Sequence, residues 1–242
     1  MHFVYNKLII NNRKLYCLDV LRQRILLLTL EPRSNLDETK LGQEFGISRT
    51  PLREILQKLA GEGYVDLTQN KSAKVVAMDM GVMRTFFQTA PLIYTNVARL
   101  AAENRTSNQL YELKQAQLSF SKSTRDKDPA QSAIHNHNFH EVIGEMAANP
   151  YLKPSLQRML IDHTRLSQTF YRPTSEQEAT LVTKACVQHD AMISAIEAQE
   201  TNLVIDLTLQ HWDLSRDQIE RFVHPEPLPL GIISSKEKKY AI

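Results

Sequence analysis

Between Ser48 and Tyr64 the chain reads SRTPLREILQKLAGEGY, and its apolar residues fall at Leu52, Ile55, Leu56 and Leu59. That i, i+3, i+4, i+7 spacing is one buried face of a helix, and it constrains the fold more than any other stretch. Ser48 stands at the N-cap position, and Pro51 falls in the first turn, where a missing N–H costs little. The same stripe turns Arg49, Thr50 and Arg53 outward on the N-terminal half. After Gly61 and Gly63 come two β-prone stretches, YVDL and KVVAM, joined by TQNKSA, which together predict a small hairpin. Upstream, apolar residues at Leu18, Leu21, Ile25 and Leu28 predict a first helix, which Pro32 in EPRSNLD breaks. Asp37 can cap a short second helix carrying Leu41 and Phe45, and Gly46 turns the chain. Three short helices followed by a hairpin, within about 65 residues, outline a winged helix-turn-helix.

The remainder has a different texture. Helical spacing recurs around Val97–Ala102, Phe139–Met146, Met159–Leu166, Ala185–Ile196 and Val204–Leu214, with Pro129, Pro150, Pro154 and Pro173 mainly at breaks. Six or seven helices in a bundle are expected, so the fold class is mainly α, with a winged helix-turn-helix and its small β-hairpin ahead of an all-helical bundle. Only seven glycines argue against a sheet-rich fold. The expected organisation is a tail at 1–13, the winged helix at 14–79, the bundle at 80–225 and a second tail at 226–242. Cys17 and Cys186 belong to no paired spacing and read as reduced thiols. The longest apolar run, Ile25–Leu30 with Thr29 inside, is far short of the roughly 18 residues of a membrane span, so a cytoplasmic protein is expected. A net charge of +2 permits nucleic-acid binding without arguing for it.

The winged-helix outline gives the outward residues of the third helix a use. Arg49, Thr50 and Arg53 sit where a recognition helix presents side chains to the major groove, and arginine can grip a guanine edge or a phosphate with two hydrogen bonds. Lys71 and Lys74, in and after the hairpin turn, are placed for backbone phosphates. The run LGQEFGISRTPLREILQKLAGEGYVDL resembles the DNA-binding domain of GntR-type transcriptional regulators, over about residues 14–79. The resemblance implies that Arg49, Thr50 and Arg53 sit on operator DNA and that Gln69 and Lys71 of the wing approach the minor groove. Where that family has glycine after the proline before helix two, this chain has Arg33, and its wing tip carries Asn70.

Three histidines, His140, His189 and His211, each lie on an apolar helix face: beside Asn136 and Ile143, beside Ala185, Met192 and Ile193, and beside Leu207 and Leu214. An imidazole buried unpaired costs about 1–3 kcal/mol, and one shared metal would satisfy all three. His135 and His137 lie off the Asn136–His140 face and read as surface or hydrogen-bonding residues. The run NxxFHxxIxxxxxNPxL at 136–152, with later histidines at 189 and 211, resembles the all-helical FCD effector domain of the FadR subfamily. In metal-binding members an Asp four residues before the first histidine completes the set; here it is Asn136. The resemblance thus implies a divalent ion (Zn, Ni, Mn or Fe) held by Asn136, His140, His189 and His211. With four neutral ligands it should be held more loosely than in Asp-bearing relatives and should attract an anion more strongly.

Relatives add an arginine from the first bundle helix to bind an effector carboxylate. That place falls on Thr89 or Ala90 here, leaving Arg84 and Arg165 as candidates. The expected function is that of a transcriptional regulator, more often a repressor, which binds a palindromic double-stranded operator as a homodimer and responds to a small effector, a carboxylate at the metal. One winged helix reads too few base pairs alone, which is why a dimer is expected. Two rivals stand beside it: a sensor of the metal ion itself, and a metalloenzyme built on the three histidines, which would need a general acid or base near the ion. Glu141 and Asp190 adjoin ligands in sequence but fall on other helix faces.

Overall fold

The structure, a computed structural model, describes residues 2–67 and 73–223. The chain opens with helix α1 (His2–Leu26), so residues 2–13, expected as a tail, continue the first helix instead. Its buried residues Cys17, Leu18, Leu21 and Ile25 meet α3 (Arg49–Gly61) through Leu52, Ile55, Leu56 and Leu59. Between them lies α2 (Glu38–Phe45), where Asp37 accepts from the N–H groups of Thr39 and Lys40, and Gly46 closes the helix at φ 59°. That positive φ carries no Cβ penalty in glycine. Ser48 occupies the N-cap of α3 but makes no side-chain cap bond.

The hairpin strands β2 (Val65–Leu67) and β3 (Ala73–Val75) pair antiparallel, Val65 opposite Val75 and Leu67 opposite Ala73. A third strand, β1 (Asn35–Leu36), lies on the other side of β3, so the sheet order is β1-β3-β2. This strand was not expected within EPRSNLD. Arg33, just before it, takes the left-handed conformation at φ 65°, which is where the resemblance puts a glycine. Its N–H donates to Val75 O at 2.9 Å, and its guanidinium pairs with Asp79.

The described part of the bundle runs α4 (Met80–Asn104), α5 (Ser107–Arg125), α6 (Pro129–Met146), α7 (Leu152–Ser167), α8 (Glu176–Ala198) and α9 (Thr201–Val223). Capping residues set its entries: Asp79 for α4, Thr106 with Gln109 as a reciprocal box for α5, Asp128 ahead of Pro129 for α6 and Ser175 for α8. At Gly144 a Cβ would stand 2.5 Å from Leu156 Cδ2, so α6 and α7 pack closely there because that residue has no side chain. The winged helix rests on α7. Ile161 is buried in its core, Arg165 donates to Val76 O, and Arg158 lies over Gly63.

Candidate metal centre and nucleic-acid interface

Arg49, Thr50 and Arg53 are all exposed on the first turn and a half of α3, opposite its buried stripe. Arg53 Nε donates to Glu38 Oε2 at 3.2 Å, which holds that guanidinium toward α2. Lys74 is half-buried on β3. Gln69 and Lys71 lie outside the described residues.

The three histidines come together from α6, α8 and α9. One ring nitrogen of each of His140, His189 and His211 lies within 4.8 Å of the others; His140 and His189 are buried and His211 is half-buried. Side chains around them set the tautomers. Gln117 on α5 donates its amide N–H groups to Cys186 O at 3.0 Å and Asp190 Oδ1 at 2.9 Å. That fixes which end of the amide is oxygen, and Oε1 faces His189 Nδ1 at 3.0 Å. Nδ1 of His189 therefore carries the proton and Nε2 is a bare lone pair. Gln188 is placed with Oε1 3.1 Å from His211 Nδ1, where it accepts that ring's N–H. His189 Nε2 stands 3.2 Å from His211 Nε2, and with Gln188 so placed both are acceptors. His140 Nε2 and Asn136 Oδ1 are buried without a hydrogen-bond partner.

Each of these two buried orphans costs about 1–3 kcal/mol. A cation at that place satisfies both. Burial, reinforced by the neighbouring histidines, pushes His140 and His189 well below the ordinary imidazole range, and burial takes His211 down to about 4. All three are neutral near pH 7, the form that ligates metals. Phe139 stacks on His189 at 3.8 Å and fixes its plane. The donor set, three imidazoles and a carbonyl oxygen with no thiolate, suits Zn, Ni, Mn or Fe.

His137 is not among these donors. It is buried, and its Nδ1 lies 2.8 Å from Thr164 Oγ1, which itself donates to Leu160 O. Asp190 is used by Gln117, and Glu141 faces a separate cleft between α1, α6 and the winged helix.

Beside the centre lies a small cavity of about 10 Å³, room for one water-sized group. Asn136 and His211 form one side; His163 and Ser167 come from α7, and Phe170 and Tyr171 from the turn after it. Neither arginine candidate reaches it. Arg84 is exposed on α4. Arg165 is fully buried and engaged with Asp162 Oδ1 at 3.2 Å and Val76 O at 3.1 Å, so it ties the bundle to the winged helix. Thr89 and Ala90 supply no cation either. Sequence reasoning passed over His163, Gln117 and Gln188. The first two carry a signal, since His163 continues the stripe Leu156, Leu160, Ser167 and Gln117 stands between Leu113 and Phe120.

Known proteins resemble the chain in both regions. The FCD domain family matches residues 91–214, and the family of bacterial regulatory proteins named gntR matches residues 17–75. The HTH-type transcriptional repressor RspR of Escherichia coli K12 is 24% identical over 200 residues, covering 83% of this chain and 85% of that protein. The gluconate operon transcriptional repressor of Bacillus subtilis is 23% identical over 207 residues, 83% and 82% of the two chains. Among solved structures, McbR/YncC of E. coli superposes with a TM-score of 0.71 at 17% identity, over 86% of this chain and 97% of that one.

Proposed function

The chain belongs to the gntR family of bacterial transcriptional regulators and carries an FCD domain; from that premise we propose that it is a metal-dependent, ligand-responsive repressor. It binds a palindromic operator as a homodimer through Arg49, Thr50 and Arg53, with Gln69 and Lys71 on the wing. Its bundle holds one divalent ion on Asn136, His140, His189 and His211, and a small carboxylate at the ion shifts operator affinity. Relatives named as repressors support the sign of the response.

The observation that supports the metal is the convergence of three imidazole nitrogens within 4.8 Å of one another, with Gln117 accepting from His189 Nδ1–H so that its Nε2 is free to ligate. Imidazoles fixed by a hydrogen bond at the far nitrogen are the usual arrangement around bound metals. The ion supplies a Lewis-acidic centre for an anion, and these residues hold it and exclude water. The narrow cavity favours one further reading, in which the ion itself is the effector.

Selection of duplexes from a random pool tests the DNA half: the enriched sequence should have two-fold symmetry, and an asymmetric site would refute the homodimer. Binding to that duplex is then measured with chelator, with metal, and with metal plus organic acids. A response only to acids in the presence of metal supports the carboxylate reading, a response to metal alone supports the ion as effector, and indifference to both refutes the metal centre.

A further inference from the structure

His163 has no part in holding the ion, since its nitrogens fall outside the cluster formed by His140, His189 and His211. Yet it is buried, it faces the cavity beside Asn136 and His211, and its ring centroid lies 5.7 Å from that of His140. Its Nδ1 lies 2.9 Å from the hydroxyl of Tyr94, a side chain 6% exposed on α4. Among the described residues neither group has another hydrogen-bond partner.

That isolation decides the tautomer. If Nδ1 carried the proton and donated to the phenol oxygen, the phenol proton would be buried with no acceptor, which is the costly arrangement for a desolvated donor. If the phenol donates, both groups are satisfied and the imidazole proton moves to Nε2. Nδ1 is occupied by Tyr94, so Nε2–H is the polar group His163 has left to offer the cavity. A protonated nitrogen cannot ligate a metal, but it can donate to an anion beside one. Among the described residues no arginine or lysine lines the same cavity.

Resting on the metal reading above, we infer that the Tyr94–His163 pair is the hydrogen-bond donor for a carboxylate seated at the open coordination positions of the ion. One carboxylate oxygen meets the metal and the other accepts from His163 Nε2–H. The ion, surrounded by neutral ligands, keeps its double charge and provides the attraction. His163 fixes the orientation that an arginine would otherwise set. The cavity is narrow, and Phe170 and Tyr171 of the turn after α7 form part of its wall, so a carboxylate entering it presses on that turn.

The test uses the full chain loaded with Co(II), with visible absorption followed during titration with acetate. Acetate should perturb the cobalt spectrum of the wild type. The His163→Phe variant should keep its cobalt but bind acetate roughly 10- to 100-fold more weakly, the range expected for losing a hydrogen bond to a charged group. The variant His163→Gln, which retains an N–H donor, should recover part of that loss. Unchanged acetate affinity in His163→Phe overturns the inference while leaving the metal reading intact. Loss of cobalt from His163→Phe overturns it differently, by making His163 a ligand. A wild type that takes up no cobalt overturns both.

Discussion

Replacing Asn136 by aspartate is the sharpest perturbation of the proposed centre, because it changes charge and leaves shape alone. Asn136 is 2% exposed, and its Oδ1 is one of the unpartnered acceptors beside the three imidazoles. In the metal-free Asn136→Asp protein, a carboxylate replaces the amide among neutral rings with no positive charge to pair with it. An uncompensated buried charge costs several kcal/mol, so about 3 kcal/mol of stability should be lost before protonation relieves the rest. For a chain of this size that is roughly 6–12 °C in Tm. With the ion present the sign reverses. Two unit charges 4 Å apart attract by about 4 kcal/mol at an effective dielectric constant of 20, and a divalent ion doubles this. Subtracting several kcal/mol for driving off the proton that the buried carboxyl takes up without the ion leaves about 3 kcal/mol, or roughly a hundredfold in affinity. Metal per chain after dialysis against chelators of graded strength measures the affinity, and melting curves with EDTA and with zinc measure the stabilities. Equal or lower metal retention in Asn136→Asp would refute the reasoning, and so would an apo variant as stable as the wild type.

Acidification should destabilise the metal-free protein. Burial lowers His137 to about 4, His163 to about 3 and His211 to about 4, with His140 and His189 well below the ordinary range, so the unfolded chain binds these protons first. The stability they hold is complete above about pH 6.5 and falls as pH drops toward 4, by up to about 1.4 kcal/mol per histidine per pH unit. Denaturant midpoints at pH 7.5 and 5.5 check this, and equal midpoints would contradict it. Arg49→Ala should weaken operator binding and reduce the slope of log affinity against log salt by about one if the guanidinium meets a phosphate. An unchanged affinity and slope would remove Arg49 from the interface. Arg165→Met keeps the volume but removes the bonds to Asp162 and Val76 O, while Asp162 retains Arg158 at 2.7 Å. A loss of about 2–3 kcal/mol and faster proteolytic cleavage near residues 76–79 are expected. Cleavage at the wild-type rate would show that this contact does not hold the winged helix to the bundle.

What could be seen from sequence depended on how locally each feature was encoded. The buried stripe of α3 and the Asp37 cap are written within one or two turns, and both are found in the structure. Strand β1 has two residues, too few for an alternation, and exists only because β3 pairs with it from far along the chain. The histidines at 140, 189 and 211 could be grouped because each sat on an apolar face that had to be buried. The glutamines that set their tautomers belong to the same interior, but a buried amide looks like any polar interruption of a stripe until its partners are known. Arg165 defeated sequence reasoning for a related reason. Its partners are Asp162, one turn back, and a backbone carbonyl 89 residues earlier, and no side-chain pattern announces a carbonyl.

Helix α7 connects these observations. Along one side it presents His163 and Ser167 to the cavity at the proposed metal centre. Along another, Arg158, Ile161 and Arg165 engage Gly63, the winged-helix core and Val76 O. Arg165 lies two residues from His163 in a rigid helix, so a displacement at one is felt at the other. On the proposed reading, a carboxylate entering the cavity presses on the turn holding Phe170 and Tyr171, which lines it and continues directly from α7. The winged helix then has two seats on the bundle, and the ligand selects between them only to the extent that it binds one arrangement better. A coupling of about 1–3 kcal/mol, the common range, requires about one or two buried hydrogen bonds to differ between those seats. The bonds from Arg165 to Asp162 and Val76 O are of that number and lie at that junction. Arg165 is therefore better placed to carry the response to a ligand than to bind one.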